Sequence, residues 1–230
     1  MRGLQVGGKR TTASLVEDRL RHAVLGGELP PGSRINLRRL SESYNVGTIP
    51  LREALSRLSA SGLVTIEDQK GFRVAEISRE DAIDIHKQRA DLEVTALRAS
   101  IETGGIRWET DVISAHHAMV RRQEALGTAP LAMDAEWESY HTKFHLALVS
   151  GCDSKWLKLF IQILIDHSIR YRQFGAARIS GPEAGVRNVA QEHSDLMQAA
   201  LNRDADLACA LLRSHYERTV DLVVGLLDGK

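Results

Sequence analysis

Between Leu37 and Val74 the spacing of apolar residues switches from a helical to a strand-like period, and few small folds accommodate that switch in so short a span. Leu37, Leu40 and Tyr44 recur at helical intervals until Asn45-Val46-Gly47 stops the pattern. A second helix follows, with Pro50 in its first turn, Ala54, Leu55 and Leu58 facing inward, and Thr48, Arg52 and Ser56 left on the outer face. After Gly62 come Leu63-Val64-Thr65-Ile66, a polar tip from Asp68 to Gly71, and a return through Phe72-Arg73-Val74. Two short helices, a tight turn and a hairpin are the parts of a winged helix-turn-helix. Its second helix fits a DNA major groove, and its wing tip, here basic at Lys70, reaches the neighbouring backbone.

Charge agrees once the chain is divided. The total of 30 Lys plus Arg against 30 Asp plus Glu is neutral, but residues 1–75 hold 12 basic and 7 acidic side chains, leaving 18 and 23 to the remainder. Phosphate binding needs positive charge gathered on one face, and an acidic remainder is held off the duplex. Arg34, Arg38, Arg39 and Arg57 taken alone would read as solvated helix charges; the adjoining turn and hairpin give them weight.

A chain of 230 residues exceeds what one winged helix needs. We expect a head over 1–76 and a second domain over 77–230, hinged at Ala75 to Ser78. Cys152 and Cys209 are too few for a disulfide framework and fit a reducing compartment. The N-terminal MRGLQVGGKR has no apolar signal core, and no apolar run approaches the roughly 18 residues of a membrane span, so no membrane partner and a cytoplasmic location are expected.

Ser14-Leu-Val-Glu17 predicts a capping box for a helix to about Leu25, and Ser78-Arg-Glu-Asp81 another opening a long helix to Glu102, broken by Gly104-Gly105. Further helices are expected over about 108–126, 131–150, 154–174, 186–201 and 204–227. The class is therefore mainly α: a winged head plus a bundle of about six antiparallel helices.

Four histidines in the bundle form the second signal. His141 and His145, four apart in HTKFH, project from one helix face, as a metal requires of two imidazoles. His193 and His215 flank the Asn202-Arg203-Asp204 turn at nearly equal distances, so an antiparallel pair brings them to one level. Four convergent neutral imidazoles suit zinc, nickel, copper or iron. A lone histidine in a bundle is more often a hydrogen-bonded core or surface residue, and His22, His86, His116, His117 and His167 are read that way.

At this point the chain resembles a known family. Residues 15–74, through Val46 to Leu55, Arg57-Leu58 and Gly62-Leu63-Val64, are similar to the head of GntR-family bacterial transcription regulators. The body is similar to their FCD effector domain in Arg89-x-x-x-Glu93, Phe144-His145, Glu192-His193 and His215. The resemblance implies a homodimer on a palindromic double-stranded operator, released by a small carboxylate. It carries DNA contact over to Arg38, Thr48, Arg52 and Gly71, and the basic wing tip adds Lys70 beside them. The family's turn usually reads Ser-Arg-Thr-Pro where this chain has Gly47-Thr48-Ile49-Pro50, so an Arg able to read guanine is missing and an altered operator is expected. The family's metal site usually opens with Asp where this chain has His141, which either shifts the expected metal toward zinc or nickel held by His141, His145, His193 and His215, or marks a lost metal whose histidines line a polar cavity.

Arg89, one turn before Glu93 and facing inward, is the candidate grip for the effector carboxylate; a buried Arg89–Glu93 pair is the alternative, and both can hold. Gln88, Arg170, Arg172 and Asn188 are further candidates for pocket specificity. A competing class is a metal-dependent enzyme of small organic acids. HTKFH lacks the glutamate that H-E-x-x-H supplies as base, and Glu138 and Glu192 are the nearest substitutes. A DNA-bending protein would be basic throughout, unlike residues 76–230.

Overall fold

The computed structural model describes residues 11–127, 131, 134–176 and 187–228. The N-terminal decapeptide and the expected helical positions 132, 133 and 186 lie outside them. The chain divides into two compact units, 1–76 and 77–230.

The first unit opens with α1 (Thr12–Leu25), one turn earlier than the Ser14 box predicts. Thr11 is the N-cap, its hydroxyl accepting the Ser14 N–H at 3.2 Å, so Ser14 is the third helical residue. Next come β1 (Arg34–Ile35), α2 (Leu37–Tyr44), α3 (Thr48–Ala60), β2 (Val64–Glu67) and β3 (Gly71–Val74). The loop expected to lead straight into α2 contains a third strand: β1 pairs Arg34 with Arg73 and Ile35 with Phe72, placing β3 between β1 and β2. Two residues are too few to alternate visibly in sequence.

The turn between α2 and α3 is locked locally. Asn45 takes the left-handed conformation (φ 52°), a geometry that asparagine tolerates, and Ser41 Oγ donates to the Val46 carbonyl at 2.6 Å. Leu51, Ala54, Leu55 and Leu58 of α3 pack with Val16, Leu20, Val24, Phe72 and Val74 into one core. Arg57 bonds Glu17 at 3.0 Å and Glu53 at 2.6 Å, so it braces α3 against α1 and is not a freely solvated charge.

The second unit contains, among the described residues, α4 (Arg79–Thr103), α5 (Ile106–Leu126), α6 (Ala135–Leu148), α7 (Lys155–Ala176), α8 (Val189–Leu201) and α9 (Ala205–Leu227). Ser78 caps α4 by accepting the Asp81 N–H at 3.1 Å. The reciprocal half of the expected box is bridged by Tyr171, whose hydroxyl accepts the Ser78 N–H and donates to the Asp81 carboxylate. Asp134 starts α6 later than the apolar pattern suggests. It caps the Trp137 N–H at 2.6 Å while Arg122 grips both its oxygens at 2.9 and 2.7 Å, fixing the entry of the helix that carries HTKFH. Among the described residues no helix is long and apolar enough to cross a membrane, and Cys152 and Cys209 are buried free thiols.

Candidate metal centre and nucleic-acid interface

On α3 the outward positions Thr48, Arg52 and Ser56 are all exposed. Arg52 lies between two concave surfaces, one shared with Arg34, Asn36, Gln69, Lys70 and Gly71, the other with Arg38, Ser41 and Thr48. All five expected DNA-contacting residues therefore border one continuous groove system. The wing is held to it by Arg34, whose Nε donates to the Lys70 carbonyl at 3.1 Å. Gln69 (φ 58°) and Gly71 (φ 92°) make the tight tip. Arg38 is exposed and shares a surface pair with Glu42 at 3.2 Å, an interaction weak enough to exchange for a phosphate. Arg34 is the member that the sequence left unassigned.

In the second unit, His141 and His145 on α6, His193 on α8 and His215 on α9 come together, with candidate ligand atoms all within 4.8 Å of one another. Every ring is buried. Burial pushes all four imidazole pKa values down, to about 3 for His215, so each ring is neutral at physiological pH.

Surrounding groups fix which nitrogen faces inward. The Tyr216 hydroxyl donates to Glu93 Oε2 at 2.6 Å and therefore accepts from His145 Nδ1 at 3.0 Å. His215 Nδ1 lies 2.9 Å from Glu192 Oε2 and 3.1 Å from Arg187, whose NH2 already donates to that same carboxylate at 2.7 Å. The shorter contact, to Glu192, takes the ring proton. His141 Nδ1 is 3.4 Å from Glu138 Oε1. These tautomers leave Nε2 of His141 and His145 as acceptors, yet the two atoms are 3.2 Å apart. Facing lone pairs at that distance call for a cation, and His193, buried with neither ring nitrogen hydrogen-bonded, offers a further donor atom. The residues present thus fit a metal ion.

A connected ion network encloses one side of the cluster. Burial opposes charge on Glu93, but Arg89, His145 and Tyr216 outweigh it and hold its carboxyl at about 2. Arg89 bonds Glu93 at 2.7 Å with both side chains 1% exposed, and donates to Ser168 at 3.0 Å. Ser168 also accepts from Arg172 at 2.7 Å and gives its proton to His86 Nε2 at 3.1 Å. Arg172 then closes on Glu138 at 2.5 Å. Burial carries Glu192 upward, but bonds from His215, Arg187 and Arg218 bring it well below the usual carboxylate range.

A cavity of about 130 Å³ adjoins the cluster and is lined by His141, His215, Trp137, Arg172 and Arg187 together with aliphatic residues of α9. Arg89 and Glu93 do not line it; they stand one layer behind, through Tyr216 and His145. Of the other specificity candidates, Arg172 reaches the cavity and Asn188 caps α8, whereas Gln88 is exposed on α4 and Arg170 is buried away from the lining. Sequence reasoning did not find Arg187, Trp137 or Tyr216. The available signal was proximity: Tyr216 follows His215, Trp137 precedes His141 by one turn, and Arg187 precedes Glu192 by five residues.

The profile of the gntR family of bacterial regulatory proteins matches residues 12–74, and that of the FCD domain matches residues 84–218. This chain belongs to the GntR family of transcriptional regulators, FCD type. It is 37% identical over 213 residues to BphR of Paraburkholderia xenovorans, described as an uncharacterized HTH-type transcriptional regulator, covering 91% of this chain and 85% of that protein. It is 33% identical over 210 residues to the HTH-type transcriptional repressor GlaR of Escherichia coli, covering 91% and 94%. The E. coli McbR/YncC structure superposes with a TM-score of 0.78 at 20% identity over 94% of this chain and 98% of that one, a likeness of fold. GntR regulators bind DNA and are not enzymes. Of the substitutes for a catalytic base, Glu138 is held by Arg172 and Glu192 by Arg187 and Arg218, and each meets a ring Nδ1, the position of orienting groups.

Proposed function

We propose that this GntR regulator represses transcription as a homodimer on a palindromic operator and releases it when a small carboxylate binds beside a metal in the FCD unit. The observation that carries the reading is the convergence of four buried, neutral imidazoles beside a cavity, in a chain whose other unit exposes a cationic recognition helix. His141, His145, His193 and His215 hold the ion. With nitrogen donors alone, zinc or nickel suits the site better than manganese or magnesium. Such an ion supplies an electrophilic position for a carboxylate oxygen. Glu192, Glu138 and the Tyr216–Glu93 pair keep the ring nitrogens turned toward it. Arg89 supports the effector from behind by fixing Glu93 and, through Ser168, Arg172.

On the DNA side, Arg52 and Thr48 enter the major groove, Arg38 takes the adjoining phosphate or base edge, and Lys70 and Gly71 follow the backbone at the wing. Thr48, in place of a family arginine, makes one hydrogen bond where a guanidinium makes two, so Arg52 and Arg38 carry more of the readout. The likeness to GlaR, a transcriptional repressor, supports the repressor sign. Release requires that the acid bind two dimer arrangements unequally. Mobility-shift titration of a selected duplex with short organic acids, with and without a chelator, tests the reading; an operator complex indifferent to every acid in both conditions refutes it.

A further inference from the structure

The cavity beside the histidines changes character along its length. On α9 the residues that line it are His215, Tyr216, Thr219, Leu222, Val223 and Leu226, one helical stripe that is polar at its start and aliphatic at its end. The polar end meets α6, where Trp137 stacks on His141 with ring centroids 4.8 Å apart and planes 12° from parallel. Trp137 is 4% exposed, and its indole N–H is buried without a hydrogen-bond acceptor. An indole nitrogen can only donate, so its natural complement is an acceptor oxygen brought by a ligand.

The two guanidinium groups in the lining do not offer a second anion site. Arg172 is committed to Glu138 and Ser168, and Arg187 holds both oxygens of Glu192 at 2.9 and 2.7 Å. Arg187 also reaches the Thr219 hydroxyl and the His215 carbonyl and shares Glu192 with Arg218, so both groups are engaged toward the polar end of the stripe. A ligand with a carboxylate at each end would set one of them against Leu222, Val223 and Leu226, where none of the described lining residues carries a donor to replace its water.

Building on the acid-responsive reading above, we infer that the effector is an amphipathic monocarboxylic acid, its carboxylate at the histidine end accepting from Trp137 and its apolar body lying along the aliphatic end of α9. The volume of about 130 Å³ sets the size, since an apolar protein cavity of roughly 150 Å³ admits benzene. One six-membered ring or a short branched chain fills it. Each methylene buried there improves binding roughly fourfold, and the Trp137 donor fixes the orientation of the head group.

Calorimetric titration of the zinc-loaded full chain with acetate, benzoate, phenylacetate, succinate and citrate tests this. Benzoate or phenylacetate is expected to bind at least tenfold more tightly than acetate and more tightly than either polyacid. Trp137→Phe, which keeps the ring on His141 but removes the donor, is expected to weaken acetate and benzoate alike by about fivefold with zinc stoichiometry unchanged. Leu226→Ser, at the far end, is expected to reduce the benzoate-to-acetate ratio and leave acetate as it was. Succinate or citrate binding more tightly than benzoate, or equal affinity for benzoate and acetate, overturns the inference while the site still senses acids. Binding of none of the five overturns the acid-responsive reading, and this inference with it.

Discussion

Substituting Glu192 by Gln isolates the group that orients His215. In the parent, Oε1 accepts from Arg187 Nε at 2.9 Å and Arg218 at 3.0 Å, while Oε2 accepts from Arg187 NH2 at 2.7 Å and His215 Nδ1 at 2.9 Å. An amide keeps one oxygen and places an NH2 where the other stood, so half of these four donors lose their acceptor. The imidazole also loses an anionic partner and with it some basicity at Nε2. Outer partners of metal-ligating histidines typically contribute 10–100-fold to affinity, which is about 1.4–2.7 kcal/mol. Zinc affinity read by competition with a chromophoric chelator near neutral pH should fall by at least tenfold, with helical content unchanged by circular dichroism. Arg218→Ala provides the control, because that guanidinium is more than half exposed and its pairing is screened by solvent; a change under about threefold is expected. A Glu192→Gln protein that stays folded and holds zinc within threefold of the parent would refute the claim that Glu192 orients His215 for metal.

Three further outcomes follow from the same structure. Arg52→Ala should weaken duplex binding by ~1–3 kcal/mol and relax preference at one base position, whereas Lys70→Ala should lower affinity across all sequences and reduce the salt slope by about 1; fluorescence anisotropy at several salt concentrations separates them. Gly104→Ala places a Cβ 2.7 Å from the Trp108 ring and 2.5 Å from the Ser100 carbonyl, both in well-packed surroundings. Overpacking of that kind costs ~1–3 kcal/mol, so the melting temperature of the second unit should drop by roughly 3–10 °C. His86 has its pKa lowered to about 4, first by burial and also by Arg172 and Arg89, against the raising effect of its bond to the Ala82 carbonyl. Since its folded pKa lies below its unfolded one, the unfolded chain gains the proton first: stability is intact above about pH 6.5 and declines as pH falls toward 4. The total is on the order of 3 kcal/mol. Comparing urea unfolding of the parent and His86→Gln between those pH values should show a shallower acid decline in the variant, and parallel curves would count against the assignment.

What could be read from sequence was whatever repeats within a helix or strand or is mirrored about a turn. The turn at Asn45 and the inward set Leu51, Ala54, Leu55 and Leu58 follow from local periodicity. The level match of His193 and His215 follows from their nearly equal distances to Arg203, and their ring centroids lie 4.8 Å apart. The partners that complete the site come from packing between helices. Arg187 reaches His215 from before α8, Arg172 reaches Glu138 from α7 to α6, and Ser168 joins Arg89 and His86, 79 and 82 positions away. No periodicity encodes those meetings. Arg89 illustrates the difference: helical spacing correctly turned it inward beside Glu93, but could not show that Tyr216 and His145 stand between that pair and the cavity.

The central claim is that an acid held in the FCD unit changes the grip of the winged head on DNA. Anisotropy of a fluorescent duplex, selected in vitro for tight binding, measures this directly in zinc-loaded protein with and without a carboxylic acid that calorimetry has shown to bind. The account predicts a rise in duplex Kd of about 5–150-fold, the usual range of coupling between two sites, and loss of that effect after chelation. An unchanged Kd with the acid demonstrably bound would contradict it.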